Sequence, residues 1–296
     1  ETREFAEKIL SLISRIDFDI IQIEDSHMAI YLDYLPDAAR SRTILTFHDV
    51  NFHKHEMMSQ LEPRRARKLR TWLHARLMRG WEPYQAQHFG HCVTMSNSDK
   101  ALLLAANPNL KITVLPNGVD TRNYAPLPLP KNTARLLFVG NMAYRPNIDA
   151  VMYFCRSIYP KIKMEYPKIE FWIVGKDPAP EVKELQGNGV HVTGQVDDLG
   201  SYYNDSIMCV VPLRAGGGTR LKILEAMALG RPVVTTPIGC EGLEVKHGQH
   251  LFIADTPDLF ADYVLQLLKD KQQWHDMTRQ ARALAVDHYD WDLIAR

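Results

Sequence analysis

The feature that most restricts how this chain can fold is a series of short runs that are apolar from end to end. RLLFVG closes at Gly140, IEFWIVG at Gly175 and VHVTG at Gly194, and IMCVVPL, RPVVTT and LFIA follow. A strand with one wet face alternates apolar and polar residues. Runs that do not alternate belong to strands covered on both faces, as in a parallel sheet with helices on either side. The segments between them carry a helical period. In NIDAVMYFCRSIYPKI, residues Ile148, Val151, Met152, Cys155 and Ile158 make one apolar stripe. Strand and helix in alternation predict a doubly wound α/β domain from about Arg135 onward.

The first part of the chain repeats the theme. A helix through FAEKILSLISRI leads to a strand at Asp19–Asp25, then come a strand RTILTFHD ending at Asp49, an arginine-rich helix from about Pro63 to Arg79, and the runs HCVTMS and ITVLPNGVD. The proline-rich segment Ala125–Asn132 lacks apolar periodicity and reads as a linker. With 296 residues the chain suits two domains, here 1–125 and 132–280. Formal net charge is +0, so no whole-chain field recruits nucleic acid. The cysteines, Cys92, Cys155, Cys209 and Cys240, are far apart and without metal-ligand spacing, which fits a reduced, cytoplasmic setting. No metal and no resident cofactor are expected. No apolar run approaches the roughly 20 residues that span a bilayer.

The strongest local signal is LRAGGGTRLKILEAMALGRPVVTT. Gly216, Gly217 and Gly218 follow a strand and precede a helix, where glycine lets backbone approach a ligand or take positive φ. Thr219 is expected to be the N-cap. A helix N-terminus offers free amides and partial positive charge, which suits a phosphate. Arg220 and Lys222 add cations where the dipole makes them unfavourable unless an anion is present. Thr219, Lys222 and Glu225 share one face, with Leu221, Leu224 and Ala228 on the buried one. Glu225 lies roughly 9 Å along the axis from Thr219, a reach that suits a ribose. A glycine loop capping an ordinary core helix, with Glu225 solvated, is the competing reading. Val196 or Asp197, following a strand end at Gly194, is placed near a nucleobase.

GGGTRLKILEAMALGRPVVTTPIGCEGL resembles the C-terminal signature of retaining glycosyltransferases of family 4, which have the GT-B fold. RLLFVGNMAYRPN looks like the opening strand and loop of that family's donor domain, LPNGVD like the run before its linker, and RTILTFHD like the strand ending in a functional histidine. HYDWDLIAR, within 281–296, looks like the final helix that crosses back to the first domain. The resemblance implies two Rossmann-like doubly wound domains facing a cleft, the first incomplete at its start. It implies a hexosyl transfer with retention and without metal, from a UDP- or GDP-linked sugar to a glycan, lipid-linked or small-molecule acceptor, in polysaccharide biosynthesis. Glu225 would bind the donor ribose. His48 would sit near the transferred sugar, in part through its backbone carbonyl, with Asp49 and His27 as weaker candidates. Gly140, Asn141 and Arg145 would line the diphosphate, with Arg145, Arg220 and Lys222 offsetting the leaving charge. Two departures stand out. Gly217 occupies the position of the family's first glutamate, and Asn141 that of its usual arginine. A non-catalytic nucleotide-sugar binding module, or a GT-B epimerase, is the alternative.

The basic helix PRRARKLRTWLHARLMRGWE has an apolar stripe of Leu69, Trp72, Leu73 and Leu77, with Arg64, Arg67, Lys68, Arg70 and Arg79 spread over the rest. The foremost expectation is a core helix with a solvated basic face. The others are an interfacial helix at 63–81, peripheral at the inner face of a membrane, and a site for an acidic acceptor.

Overall fold

The apolar runs form parallel strands throughout. The structure, a computed structural model, describes residues 3–130 and 134–295. Its contacts divide the chain into two units: one runs to Pro116 and includes Gly217–Thr219, the other takes Asn117–Gly216 and the chain from Arg220.

In the first unit, β1 (Ile21–Glu24), β2 (Thr43–Phe47), β3 (His91–Thr94) and β4 (Ile112–Val114) lie parallel in the order β1-β2-β3-β4. Leu32, Leu45, Phe47, Phe52 and Leu103 form the centre of its core. The arginine-rich helix runs Arg65–Ala86, beyond the expected end at Arg79, and packs on the helix Asn51–Leu61. Its stripe is not in the core. Ala75, Met78, Glu82 and Ala86 make the buried face. Leu69, Trp72, Leu73 and Leu77 fall outside that face, Leu73 and Leu77 opposite it and Trp72 on its flank, and are 57%, 44%, 48% and 73% exposed. Their spacing is helical, but Ala75, Met78, Glu82 and Ala86 have the same period on another side of the helix, and that line is the one that packs.

In the second unit, β5 (Arg135–Val139), β6 (Glu170–Val174), β7 (Val190–Gly194), β8 (Met208–Val211), β9 (Val233–Thr235) and β10 (Phe252–Ile253) form one parallel sheet in the order β10-β9-β8-β5-β6-β7. The chain builds outward from β5 to β7, crosses back to lay β8 beside β5, and builds outward the other way. The loops after β5 and β8 therefore diverge onto opposite faces, leaving a crevice at the C-terminal edge where ligands bind in such sheets. Leu136, Phe138, Phe171, Ile173, Val210 and Val234 are essentially unexposed, as strands covered on both faces require.

The division at Pro116 precedes the expected linker, whose Lys131 and Asn132 lie outside the described residues. Two guanidinium groups account for the difference. Arg282 donates to the carbonyls of Thr121, Tyr124 and Ala228. Arg231, fully buried, donates to those of Leu127, Pro128, Tyr203 and Asn204. The segment 117–130 is thus strapped to the second unit. The chain's end groups there as well: after the helix Lys271–His288, Asp290 accepts from the Thr121 backbone and hydroxyl, and Trp291 lies where a Cβ on Gly118 would meet it at 2.8 Å. Among the described residues, no helix is long and apolar enough to cross a membrane.

Candidate functional site

The ends of β5 and β8 and the helix after β8 carry Gly140, Asn141, Gly216, Arg220, Lys222 and Glu225 of the residues singled out in the sequence. Gly140 closes β5. A Cβ there would stand 2.7 Å from Asn147 Nδ2 and 3.0 Å from Lys222 Nζ, so a side chain at this position would press on both groups. At the end of β6, Gly175 has φ +153, and a Cβ on it would stand 1.7 Å from the Gly140 carbonyl oxygen. The two loops therefore touch backbone to backbone.

Asn141 turns the loop, its Oδ1 accepting the Ala143 amide at 2.9 Å. Its carbonyl accepts from Asn147 Nδ2 at 2.9 Å, and Asn147 Oδ1 accepts from Lys222 Nζ at 2.9 Å. This relay joins the β5 loop to the helix that follows β8. Asn147 lies in the first turn of the helix Arg145–Tyr153. Arg145, at the head of that helix, is turned to Glu181 at 3.0 Å, both about half exposed.

The helix Leu221–Ala228 follows the three glycines, of which Gly216 (φ +146) and Gly218 (φ +67) require glycine by their backbone. The N-cap is Arg220 and its side chain makes no capping bond. Thr219, expected as the cap, instead donates from its hydroxyl to the Met95 carbonyl at 3.2 Å. Its group is drawn away by a backbone acceptor outside the helix. The buried face is Ile223, Leu224, Ala226, Met227 and Ala228, whereas Leu221, expected there, is 45% exposed. Starting the helix at Leu221 places that residue at its rim.

Lys222 is the second residue of the helix. Its ammonium sits 4.1 Å from the centre of the Phe138 ring and is largely enclosed. Burial and then the Arg220 charge hold its amine down at about 7, against a smaller opposing pull from Glu225. Glu225 follows one turn on and accepts from the buried Tyr203 hydroxyl at 3.1 Å. Burial raises the Glu225 carboxyl, and the Tyr203 bond and Lys222 oppose it. Arg220 is itself buried and donates to the Ile238 carbonyl at 3.2 Å. Two basic residues thus stand at the positive end of a helix, in a crevice walled by backbone. An anion there would be met by amides, by Arg220 and by Lys222. Val196, two residues beyond β7, is half-buried against the core, while Asp197 is exposed.

In the first unit, His48 follows β2, and its Nε2 lies 2.7 Å from Glu24 Oε2 at the end of β1. Asp49 pairs with Lys54 at 2.8 Å. Gly217–Thr219 belong to this unit by their contacts: a Cβ on Gly217 would stand 2.9 Å from Asp49 Oδ1, and one on Gly218 2.2 Å from the His48 carbonyl oxygen. His27 is engaged with Asp25 at 2.9 Å. Glu82, fully buried, accepts from the Ser26 hydroxyl at 2.6 Å and from the amides of Asn51 and Phe52 at 3.2 and 2.9 Å. Those amides begin the helix Asn51–Leu61, whose N-cap Val50 has no capping side chain. Burial outweighs these bonds and raises the Glu82 carboxyl.

Sequence reasoning missed Asn147, Tyr203, Glu24 and Glu82. Two carried a signal. Asn147 is a polar residue opening an apolar helical stripe just after a proline, and Glu82 is the one acid in the basic stretch Arg64–Ala86. Tyr203 and Glu24 carried none, since their partners lie 22 and 24 residues away.

Residues 133–270 match the family model described as glycosyl transferases group 1, and residues 2–123 match that of glycosyltransferase family 4. Between them the two matches account for most of the chain. A 44.6 kDa uncharacterized protein of the cps region of Klebsiella pneumoniae is 28% identical over 168 residues, 54% of this chain and 43% of its own length. A phosphatidyl-myo-inositol mannosyltransferase of Mycolicibacterium smegmatis is 27% identical over 192 residues, 61% of this chain and 49% of its own. The chain thus spans about half the length of the curated relatives it matches. Among solved structures, the sucrose-phosphate synthase of Thermosynechococcus elongatus superposes with TM-score 0.78 at 19% identity, covering 99% of this chain and 75% of that one. Anabaena HepE, solved with UDP and glucose, superposes with TM-score 0.73 at 16% identity, covering 98% and 78%. At those identities the likeness is one of fold.

Proposed function

This chain belongs to the group 1 glycosyl transferases of the GT-B fold, and from that premise we propose that it moves a hexosyl unit from a nucleotide-diphosphate sugar to an acceptor hydroxyl. The observation that carries this reading is the enclosed Lys222, near neutrality, at the head of a helix beside the sheet's switch point. In this reading the diphosphate lies at the N-terminus of Leu221–Ala228. Its charge draws a proton onto Lys222, which Asn147 holds in place. Glu225, oriented by Tyr203, accepts from the ribose hydroxyls. Val196 lies against the base.

Transfer breaks the bond between the sugar's anomeric carbon and the diphosphate oxygen and forms one to the acceptor oxygen. The acceptor's proton passes to the leaving phosphate. Charge growing on that leaving group is met by Lys222, Arg220 and the helix amides without a metal, and Arg145 exchanges Glu181 for the phosphate. Attack from the leaving-group side retains the anomeric configuration and needs no protein nucleophile. His48, held by Glu24, positions the transferred sugar. A uridine donor is favoured by the UDP of the Anabaena protein, with a guanosine donor second. The name of the mycobacterial relative favours a lipid-linked acceptor, with a glycan second.

A thermal-shift panel of UDP-, GDP-, ADP- and TDP-sugars identifies the donor, since a ligand of the native state raises its stability. Nucleotide release is then measured with and without acceptor, for the parent and for Lys222→Ala. Release that depends on acceptor and on Lys222 is expected. Binding without release at any acceptor would make the chain a nucleotide-sugar binding module. Release undiminished in Lys222→Ala would remove the site.

A further inference from the structure

We propose that the outward face of the helix Arg65–Ala86 is a docking surface for a bilayer bearing anionic phospholipid. The helix has two apolar faces. One, through Ala75, Met78 and Ala86, lies against the first unit's core. The other, through Leu69, Trp72, Leu73 and Leu77, is exposed to solvent, with Leu73 and Leu77 opposite the buried face and Trp72 on its flank. Gly80 continues that outer line, and a Cβ on it would find nothing within 4 Å.

The surrounding charge is of one sign. Arg64, Arg65, Arg67, Lys68, Arg70 and Arg76 are all exposed, and the single acid between Arg64 and Ala86 is the buried Glu82. Among the described residues, Arg79 is the cation of this stretch paired to a carboxylate, that of Glu56 at 2.6 Å. The chain as a whole has formal net charge +0, so this segment is a local excess. A solvated basic face would account for the arginines. It does not account for four large apolar side chains aligned among them over about 12 Å of helix at 1.5 Å per residue.

An interfacial helix needs both features together: apolar side chains to enter the acyl boundary, and cations to meet the phosphates. Trp72 suits the interface, with an apolar ring and a polar N–H. Arg76 lies 5.4 Å over that ring, keeping a cation beside the apolar line. A second copy of this chain fits less well, because docking the same face on itself would bring two clusters of uncompensated cations together. The first ten residues of the helix, Arg65–His74, contribute no buried side chain, so tertiary packing supports that half weakly and a lipid surface would support it directly.

The test is co-sedimentation of the whole chain with vesicles of phosphatidylcholine alone and of phosphatidylcholine and phosphatidylglycerol in equal parts. The parent should pellet with the mixed vesicles and stay in solution with the neutral ones. Leu73→Asp with Leu77→Asp should lower the partition by about tenfold or more, since each leucine inserted contributes roughly that factor. Arg67→Glu with Arg70→Glu should lower it by at least about fivefold per charge removed. Both variants change exposed residues and should keep the parent's far-ultraviolet circular dichroism and its donor thermal shift, so a failure of docking is read separately from a failure of fold or donor site. Equal pelleting with neutral vesicles would overturn the proposal, as would binding indifferent to Leu73 and Leu77. A dimer in solution that the leucine variant splits would overturn it too, and assign the face to a second copy.

Discussion

Two helices of this chain begin alike and are completed differently. Asn51–Leu61 follows β2 and Leu221–Ala228 follows β8, each leaving the C-terminal end of a parallel strand with no side-chain cap from its N-cap residue, Val50 or Arg220. At the first, a buried carboxylate from another helix, Glu82, accepts from the opening amides. At the second, Lys222 is the side chain that stands over the opening turn, and its partner is the neutral amide oxygen of Asn147. A helix end is stabilised by negative charge and destabilised by positive charge. The first end is therefore finished within the fold, and the second is arranged to gain from an anion supplied as ligand. The two helix ends differ in the charge of the side chain nearest the first turn, and on the reading proposed above that charge marks the second as the one that takes a ligand.

The comparison can be broken at either end. The largest effect is expected from Lys222→Met, which removes the cation but keeps the bulk: acceptor-dependent nucleotide release should fall by about 10²–10³-fold, while denaturant unfolding of the ligand-free chain shows a gain in stability. A loss of stability would mean that the lysine serves the fold. Glu82→Ala should cost about 3 kcal/mol, because it strips a buried acceptor from two amides and a hydroxyl. A urea midpoint within error of the parent would show that this end needs no anion after all.

A smaller effect concerns pH. The Lys222 amine titrates at about 7 in the folded chain against its ordinary 10.5. Between those values the unfolded chain holds a proton that the folded chain does not, so stability should rise with pH across that window, by up to about 1.4 kcal/mol per unit. Lys222→Met should remove this contribution to the slope. Donor affinity should move oppositely and weaken as pH climbs past about 7, because binding must then recruit a proton; titration calorimetry in buffers of different ionisation enthalpy reads that uptake directly. The smallest effect is expected at Thr219. Its hydroxyl makes one bond to the Met95 carbonyl and caps nothing, so Thr219→Ala should cost about 1 kcal/mol or less.

The sequence made the second unit legible because both faces of its strands are buried, and a run such as RLLFVG then carries the burial in its own composition. The strand order was not legible; it depends on pairing between residues as distant as Leu136 and Met208. The glycine loop, Lys222 and Glu225 were visible as a motif. Asn147 was not part of that motif, because its importance lies in joining Asn141, 6 residues before it, to Lys222, 75 residues after it. The two misplacements share a cause. Thr219 is a good cap in isolation, and the Leu69–Leu77 stripe is a good core face in isolation. In each case a tertiary competitor, the Met95 carbonyl or the second apolar line through Ala75 and Met78, took the role that local pattern had assigned.

The amine of Lys222 has a consequence for covalent chemistry. Surface ammonium groups are almost wholly protonated near neutral pH and so react slowly with electrophiles. Lys222, at about 7, carries its lone pair in a large fraction of molecules. It lies in the first turn of the helix Leu221–Ala228, at the positive end of the helix dipole. In the ligand-free chain a small uncharged aldehyde should condense with the amine with loss of water and leave an imine that borohydride fixes as a secondary amine, whereas a bound phosphate should protonate the lysine and protect it. The residue proposed to meet the diphosphate would thereby also make this end of the helix addressable by a label.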